Sequence, residues 1–114
     1  MTEPAPRPGV LSDLAFHILL ALGDGPTHGY AIGKYIEEQS GGRLDPTTGA
    51  LYQALRRLTD EGLVEPADGP GGADTRRKYF ALTRPGRRAA AAEAARLHAL
   101  VREARQRKLF PQRS

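Results

Sequence analysis

Two groups of polar side chains carry the chemistry that this sequence offers. Gln53, Arg56 and Arg57 lie close together, and Arg76-Arg77-Lys78 form an uninterrupted cationic run. Arginine pairs bidentately with guanine or phosphate, glutamine pairs with adenine, and adjacent cations favour a polyanion. The two groups indicate nucleic-acid binding, unless they are only a solvated helix face and a charged turn that blocks edge-to-edge strand pairing.

Residues suited to catalysis or metal binding form no recognisable pattern. The chain has no cysteine, and His17, His28 and His98 fall on separate predicted elements without HExxH spacing. The glycine-rich run at residues 68–72 lacks the GK[ST] ending of a phosphate-binding loop. We therefore expect no enzyme activity, no metal site and no cofactor.

The composition is that of one globular domain. Hydrophobic residues make up 39% and charged residues 26% of the 114 positions. No apolar run approaches the roughly 20 residues of a membrane-spanning helix, residues 1–10 do not resemble a signal peptide, and cysteine is absent. These features predict a cytoplasmic protein without a membrane partner.

The net charge of +4 is unevenly distributed. Residues 1–42 contain two basic and five acidic side chains, whereas residues 43–114 contain fifteen basic and eight acidic ones. The second part of the chain therefore presents the surface suited to an anionic partner.

Helical signals precede and include the first polar group. Ser12 is a predicted N-cap of a first helix that ends near Gly23, and a second helix is predicted from Thr27 or His28 to Gly41. A third is predicted between Asp45 as N-cap, with Pro46 in the first position, and Gly62 at its end. Its apolar side contains Leu51, Ala54, Leu55 and Leu58.

A hairpin and a last helix follow. Residues 63–65 and 78–82 are predicted strands joined by a turn-rich loop, and the last helix opens at residues 83–86 and runs to about Lys108. We expect a disordered arm over 1–10, a winged helix-turn-helix domain over 11–84, a dimerisation helix over 85–109 and a tail over 110–114. The fold class is mainly α with a small β-hairpin.

In a winged helix-turn-helix, the third helix enters the major groove and the hairpin lies beside it. Hydroxyl groups in the first turn of that helix lie beside free backbone N–H groups, a favourable place for a phosphate. The residues predicted on this basis to contact DNA are Thr47, Thr48, Gly49, Gln53, Arg56, Arg57, Arg76, Arg77 and Lys78.

Four motifs, in this order and spacing, resemble the PadR-like transcriptional regulators: His28-Gly29-Tyr30-Ala31-Ile32, the run at 48–58, Glu61-Gly62-Leu63-Val64 and the run at 77–86. The resemblance covers about residues 10–105. It implies a dimeric repressor with a C-terminal dimerisation helix, and DNA-facing positions at Tyr30, Tyr52, Arg56 and Arg77. Tyr30 and Tyr79 have an equally good interpretation as rings buried in the core.

The last helix carries a coiled-coil-like apolar stripe that favours a homodimer and a pseudo-palindromic operator. The alternative is that this stripe packs onto the first helix of the same chain. The resemblance also implies release by a small hydrophobic or aromatic ligand near the interface. The residues predicted for the interface and ligand are Phe16, Leu20, Ala94, Leu97, Leu100, Val101 and Ala104.

One other class of function is compatible with the sequence. A winged helix also serves as a protein-interaction or RNA-binding module without operator specificity. Single-strand binders usually present several exposed aromatic rings, and this chain has only seven Phe and Tyr residues and no Trp. The sequence therefore favours double-stranded DNA.

Overall fold

The computed structural model describes residues 11–70 and 77–111. It contains four helices and a three-stranded antiparallel sheet. In chain order the elements are α1 (Asp13–Ala21), β1 (Thr27–His28), α2 (Gly29–Gln39), α3 (Thr48–Asp60), β2 (Val64–Ala67), β3 (Tyr79–Leu82) and α4 (Arg84–Gln106). The predicted fold class is confirmed, and the predicted arm at 1–10 lies outside the described residues.

Side-chain caps mark where the helices begin. The hydroxyls of Ser12 and Thr83 accept hydrogen bonds from the backbone N–H groups of Ala15 and Gly86, so α1 and α4 begin as the sequence predicts. The prediction for α3 was wrong by two residues. Thr47, not Asp45, is its N-cap, since the Thr47 hydroxyl accepts from the backbone N–H of Ala50.

The sheet contains one strand that the sequence did not reveal. β3 is the central strand, with β2 on one side and the two-residue β1 on the other. Thr27 pairs with Phe80, and His28 pairs with Tyr79. The residues predicted to begin the second helix therefore belong to the sheet, and α2 starts only at Gly29.

The core lies where the three helices of the domain meet the hairpin. The apolar side of α3 faces inward, since Leu51, Leu55 and Leu58 are buried and Ala54 is half-buried. Apolar residues of the other elements complete the cluster: Ile18, Leu19, Leu22, Ile32, Ile36, Val64 and Phe80. Burial of this face fixes the rotation of α3 and points its polar side chains to solvent.

The α3–β2 connection fixes the position of the hairpin relative to α3. Gly62 has a φ of 80°, a left-handed conformation that ends α3, and the backbone N–H of Leu63 donates to the carbonyl of Leu58. The strand that follows spans Val64–Ala67 rather than the predicted 63–65. No helix within the described residues is long and apolar enough to cross a membrane.

Candidate nucleic-acid interface

The exposed side of α3 carries the side chains predicted to read bases. Gln53, Arg56 and Arg57 are exposed, as are Thr48 and Gly49 in its first turn. Thr47 is also exposed, and its hydroxyl oxygen accepts the cap bond from the backbone N–H of Ala50. The helix therefore presents two arginines and an amide to solvent along one side.

The segment that enters β3 brings further cations beside α3. Arg77 and Lys78 are exposed and come immediately before the strand. Together with Arg56 they line one groove of about 760 Å³ between α3 and the hairpin, which also contains the carboxylates of Asp60 and Asp68. The structure thus brings Arg56 of the first group together with Arg77 and Lys78 of the second. Gln53 and Arg57 do not line this groove, and Arg76 lies outside the described residues.

The two tyrosines predicted from the resemblance have different environments. Tyr30 is 72% exposed at the start of α2. Tyr52 is half-buried, its ring lies edge-on to Phe80 at 6.2 Å, and it lines the grooves on both sides of α3. Tyr30 therefore belongs to the surface, whereas Tyr52 belongs partly to the core and positions α3 against α2. Tyr79 is also half-buried.

We define the basic face as Tyr30, Tyr52, Arg56, Arg77 and Lys78. Tyr30, Tyr52, Arg77 and Lys78 line a second hollow that adjoins the groove of Arg56. A third groove, on the other side of the α3 N-terminus, contains the carboxylates of Glu37 and Asp45 as well as Lys34. The basic face is therefore on the hairpin side of α3.

His28 lines the candidate site although it was not among the residues predicted from the sequence to contact DNA. Its Nδ1 accepts a hydrogen bond from the backbone N–H of Ala31 at 3.2 Å, and its Nε2 lies 2.9 Å from the Arg77 guanidinium. Burial, and then the charge of Arg77, lower the pKa of His28 from its ordinary value of 6.5. The position of His28 immediately before a helix was the available signal, but its contact with Arg77 depends on the sheet.

The arginines along α4 form a surface that is separate from the basic face. Arg87, Arg88, Arg96, Arg102, Arg105 and Arg107 are all exposed. Arg107 pairs with Glu103, and Arg105 stacks on the ring of Phe110 at 3.9 Å. These arginines therefore lie apart from the groove that contains Arg56, Arg77 and Lys78. Over residues 11–70 and 77–111, no three side chains are grouped to hold a metal ion.

Comparison with known proteins identifies the family. The model of the transcriptional regulator PadR-like family matches residues 18–92, which include α2, α3, the hairpin strands and the start of α4. This chain belongs to that family. The membership agrees with the motifs at His28, at 48–58 and at 77–86.

A curated relative and two solved structures extend the comparison. An uncharacterised 37.1 kDa protein of transposon TN4556 from Streptomyces fradiae is 47% identical over 76 residues, which cover 67% of this chain and 20% of that protein. The chain thus spans one fifth of that relative's length. A PadR family transcription regulator from Clostridium difficile has a TM-score of 0.69 at 20% identity, over 83% of this chain and 97% of the other.

The second structure is Bacillus subtilis PadR in complex with operator DNA. It is 28% identical to this chain, with a TM-score of 0.59 over 75% of this chain and 46% of the other. The PadR-like winged-helix architecture is therefore shared with a regulator whose structure contains its DNA.

Proposed function

We propose that this PadR-family chain binds double-stranded DNA in a sequence-specific manner, with α3 in the major groove and the hairpin beside it. The observation that carries the proposal is the convergence of Arg56 on α3 with Arg77 and Lys78 on one groove. An exposed amphipathic helix alone is ordinary, but Arg56 of α3 and Arg77 before β3 are 21 positions apart in the sequence, and such cations on one surface suit a polyanion. The operator DNA bound to the B. subtilis relative supports the same conclusion.

The exposed side of α3 and the cations before β3 have different chemical roles in this proposal. Gln53, Arg56 and Arg57 point outward from α3 and have the donors and acceptors that base edges recognise. Arg77 and Lys78 contact phosphates, as do the backbone N–H groups of the first turn at Thr48 and Gly49. Phosphate contacts set the position of α3, and base contacts select the sequence.

We propose further that the functional unit is a homodimer formed through α4. Early in this helix, Ala89 and Ala90 pack on the core, and Glu93 is buried with its carboxylate accepting hydrogen bonds from Arg96. From residue 94 to residue 107, every side chain is exposed except that of Ala104, which is half-buried. A helical segment without packing is marginally stable in water, so a partner that covers it stabilises it.

The exposed apolar side chains identify the surface that the partner covers. Leu97, Leu100 and Val101 are 37%, 54% and 38% exposed, and Leu20 of α1 is 38% exposed. The start of α4 does contact α1, and Ala90 packs against the core, so the alternative interpretation of packing within the chain fits the beginning of the stripe. The proposed interface is the exposed part of the stripe that follows. Phe16, Ala94 and Ala104 complete the proposed interface.

A repressor role and release by a hydrophobic or aromatic ligand at this interface are proposals that rest on family resemblance. The same residues, Phe16, Leu20, Leu97, Leu100 and Val101, supply the apolar lining that such a ligand requires. A thermal-shift screen with aromatic compounds tests the ligand. We expect stabilisation that disappears when Leu97 is replaced by Glu, and the absence of any stabilising compound contradicts the proposal.

Selection of bound duplexes from a random pool tests DNA recognition directly. We expect enrichment of an inverted repeat with half-sites about 34 Å apart, because a two-fold dimer presents two copies of α3. The selected duplex is then competed with RNA of the same length at fixed salt. Absence of an enriched sequence, or tighter binding of RNA, overturns the proposal in favour of a different module.

A further inference from the structure

The imidazole of His28 lies between the start of α2 and Arg77, which is two residues before β3. Its Nδ1 is 3.2 Å from the backbone N–H of Ala31, and its Nε2 is 2.9 Å from an Arg77 Nη1 that also lies 3.4 Å from Nδ1. Tyr79 meets the ring edge-on at 5.4 Å, and Tyr30 lies parallel to it at 6.5 Å. His28 is therefore held in place from two elements.

The hydrogen bonding around this ring is unbalanced. A neutral imidazole has one acceptor nitrogen, whereas the Ala31 N–H and the Arg77 guanidinium are both donors. A charged imidazole has no acceptor and satisfies neither. Protonation without a further ligand would therefore end the α2 cap bond and place two cations in contact.

The hollow beside the ring contains cations and no carboxylate within the described part of the chain. His28, Gly29, Tyr30, Tyr52, Arg77 and Lys78 line about 340 Å³. The titratable groups that face His28 are thus Tyr30 and Tyr52 from α2 and α3, and Arg77, Lys78 and Tyr79 from the hairpin. Burial and the Arg77 charge lower the pKa of His28, so the imidazole is neutral near pH 7 in the free protein.

We propose that a DNA phosphate binds between His28 and Arg77, and that His28 takes up a proton from solvent when the phosphate arrives. The inference rests on the DNA binding proposed above. A phosphate oxygen accepts from both Arg77 and the Nε2–H of His28, so the guanidinium no longer competes for the ring nitrogens. The proton that is taken up lies on Nδ1, where it replaces the cap bond from the Ala31 N–H. The phosphate also supplies the negative charge that the hollow lacks, so it favours the imidazolium.

Proton uptake makes DNA affinity depend on pH with a defined sign. His28 has one pKa in the free protein and a higher one in the DNA complex. At pH values between the two, the complex carries more protons than the free protein, so affinity falls as pH rises through that interval. The slope is at most about tenfold per pH unit for each protomer whose His28 contacts phosphate. The effect of pH on affinity is the same for every base sequence, because His28 contacts the DNA backbone.

Fluorescence anisotropy with a random-sequence duplex of about 30 base pairs tests this pH dependence of DNA affinity. The titrations are made at constant ionic strength from about pH 5.5 to pH 8. The wild-type chain is compared with His28→Asn, in which asparagine can still cap α2 but does not titrate. His98→Asn is the matched control, since His98 is an exposed histidine of α4. We expect the wild type and His98→Asn to lose affinity with rising pH, and His28→Asn to show no such slope.

The outcomes separate this inference from the proposed function. Absence of duplex binding at every pH overturns the DNA-binding proposal itself. Duplex binding with the same slope in wild type and His28→Asn overturns only the inference about His28. An NMR titration of the wild-type His28 ring provides a measurement that does not depend on a variant: we expect a higher pKa with duplex than without, and an equal or lower pKa overturns the inference.

Discussion

The phenol of Tyr52 lies directly over Gly29, so close that a Cβ built on residue 29 would be 2.2 Å from the Tyr52 hydroxyl oxygen. Gly29 is buried in the first turn of α2, and Tyr52 is in the middle of α3. The absence of a side chain at position 29 therefore allows α3 to approach the start of α2. This contact orients the exposed side of α3 relative to Tyr30 and Arg77.

Replacement of Gly29 by Ala tests how much the contact between Gly29 and Tyr52 contributes to the stability of the fold. The methyl group forces the Tyr52 ring out of its position, and we expect a loss of about 1–3 kcal/mol in the free energy of unfolding. Urea denaturation measures it. Gly49→Ala is the control, because no atom lies within 4 Å of a Cβ at that exposed helical position. We expect the control to be as stable as wild type or more stable, and an equal change in both variants contradicts the role of the contact.

Combined replacement of Arg56 and Arg77 by Ala tests the basic face. We expect specific operator binding to be lost while the oligomeric state is unchanged, because each bidentate or phosphate contact contributes about 1–3 kcal/mol. Anisotropy with the selected duplex and sedimentation measure the two properties. Arg88→Ala with Arg102→Ala removes the same charge from exposed positions of α4. An equal loss of affinity in both double variants would mean that only net charge matters.

Replacement of Leu100 by Glu tests the proposed dimer. Leu100 is 54% exposed on α4, and a carboxylate there would be buried without a partner in a helix–helix interface. We expect monomers in sedimentation equilibrium and weaker binding to a two-half-site duplex. Leu109→Glu is the control, since Leu109 is 75% exposed and lies beyond the end of α4. A dimer that survives Leu100→Glu contradicts an interface at this stripe.

The pH dependence of folding provides a test of His28 without DNA. Burial and Arg77 lower the pKa of His28 in the folded chain below 6.5, so the unfolded chain binds more protons in the interval between the two values. Stability therefore rises with pH through this interval and no longer depends on His28 above it. Thermal melting at a series of pH values measures the trend. We expect the slope in this interval to decrease in His28→Asn, and an unchanged slope would show that other groups cause it.

The sequence predicted those features that depend on local periodicity and capping. The burial of Leu51, Leu55 and Leu58 follows from their helical spacing, and the start of α4 follows from Thr83 and the proline after it. The cap of α3 was placed wrongly because Asp45-Pro46 and Thr47 are both acceptable starts. The hydrogen bonds from Ala50 to the hydroxyl and from Leu51 to the carbonyl of Thr47 distinguish them.

Features that depend on contacts between residues far apart in the sequence could not be predicted from local sequence patterns. β1 has only two residues, and its pairing partners lie about 50 positions later, so neither propensity nor alternation marks it as a strand. For the same reason the contact of His28 with Arg77 was not predicted. The basic group at 76–78 was recognised from composition, but the position of Arg77 and Lys78 beside Arg56 depends on how the hairpin packs against α3.

The central position of β3 also determines when the sheet can form during synthesis of the chain. Residues Tyr79–Leu82 pair with β2 on one side and, on the other, with a strand that precedes all of α2 and α3. On the ribosome, the sheet cannot close until residue 82 has left the exit tunnel, even though α1, α2 and α3 are already synthesised. A nascent chain that stops before β3 therefore lacks both strand pairs of the sheet, even when its first three helices have formed.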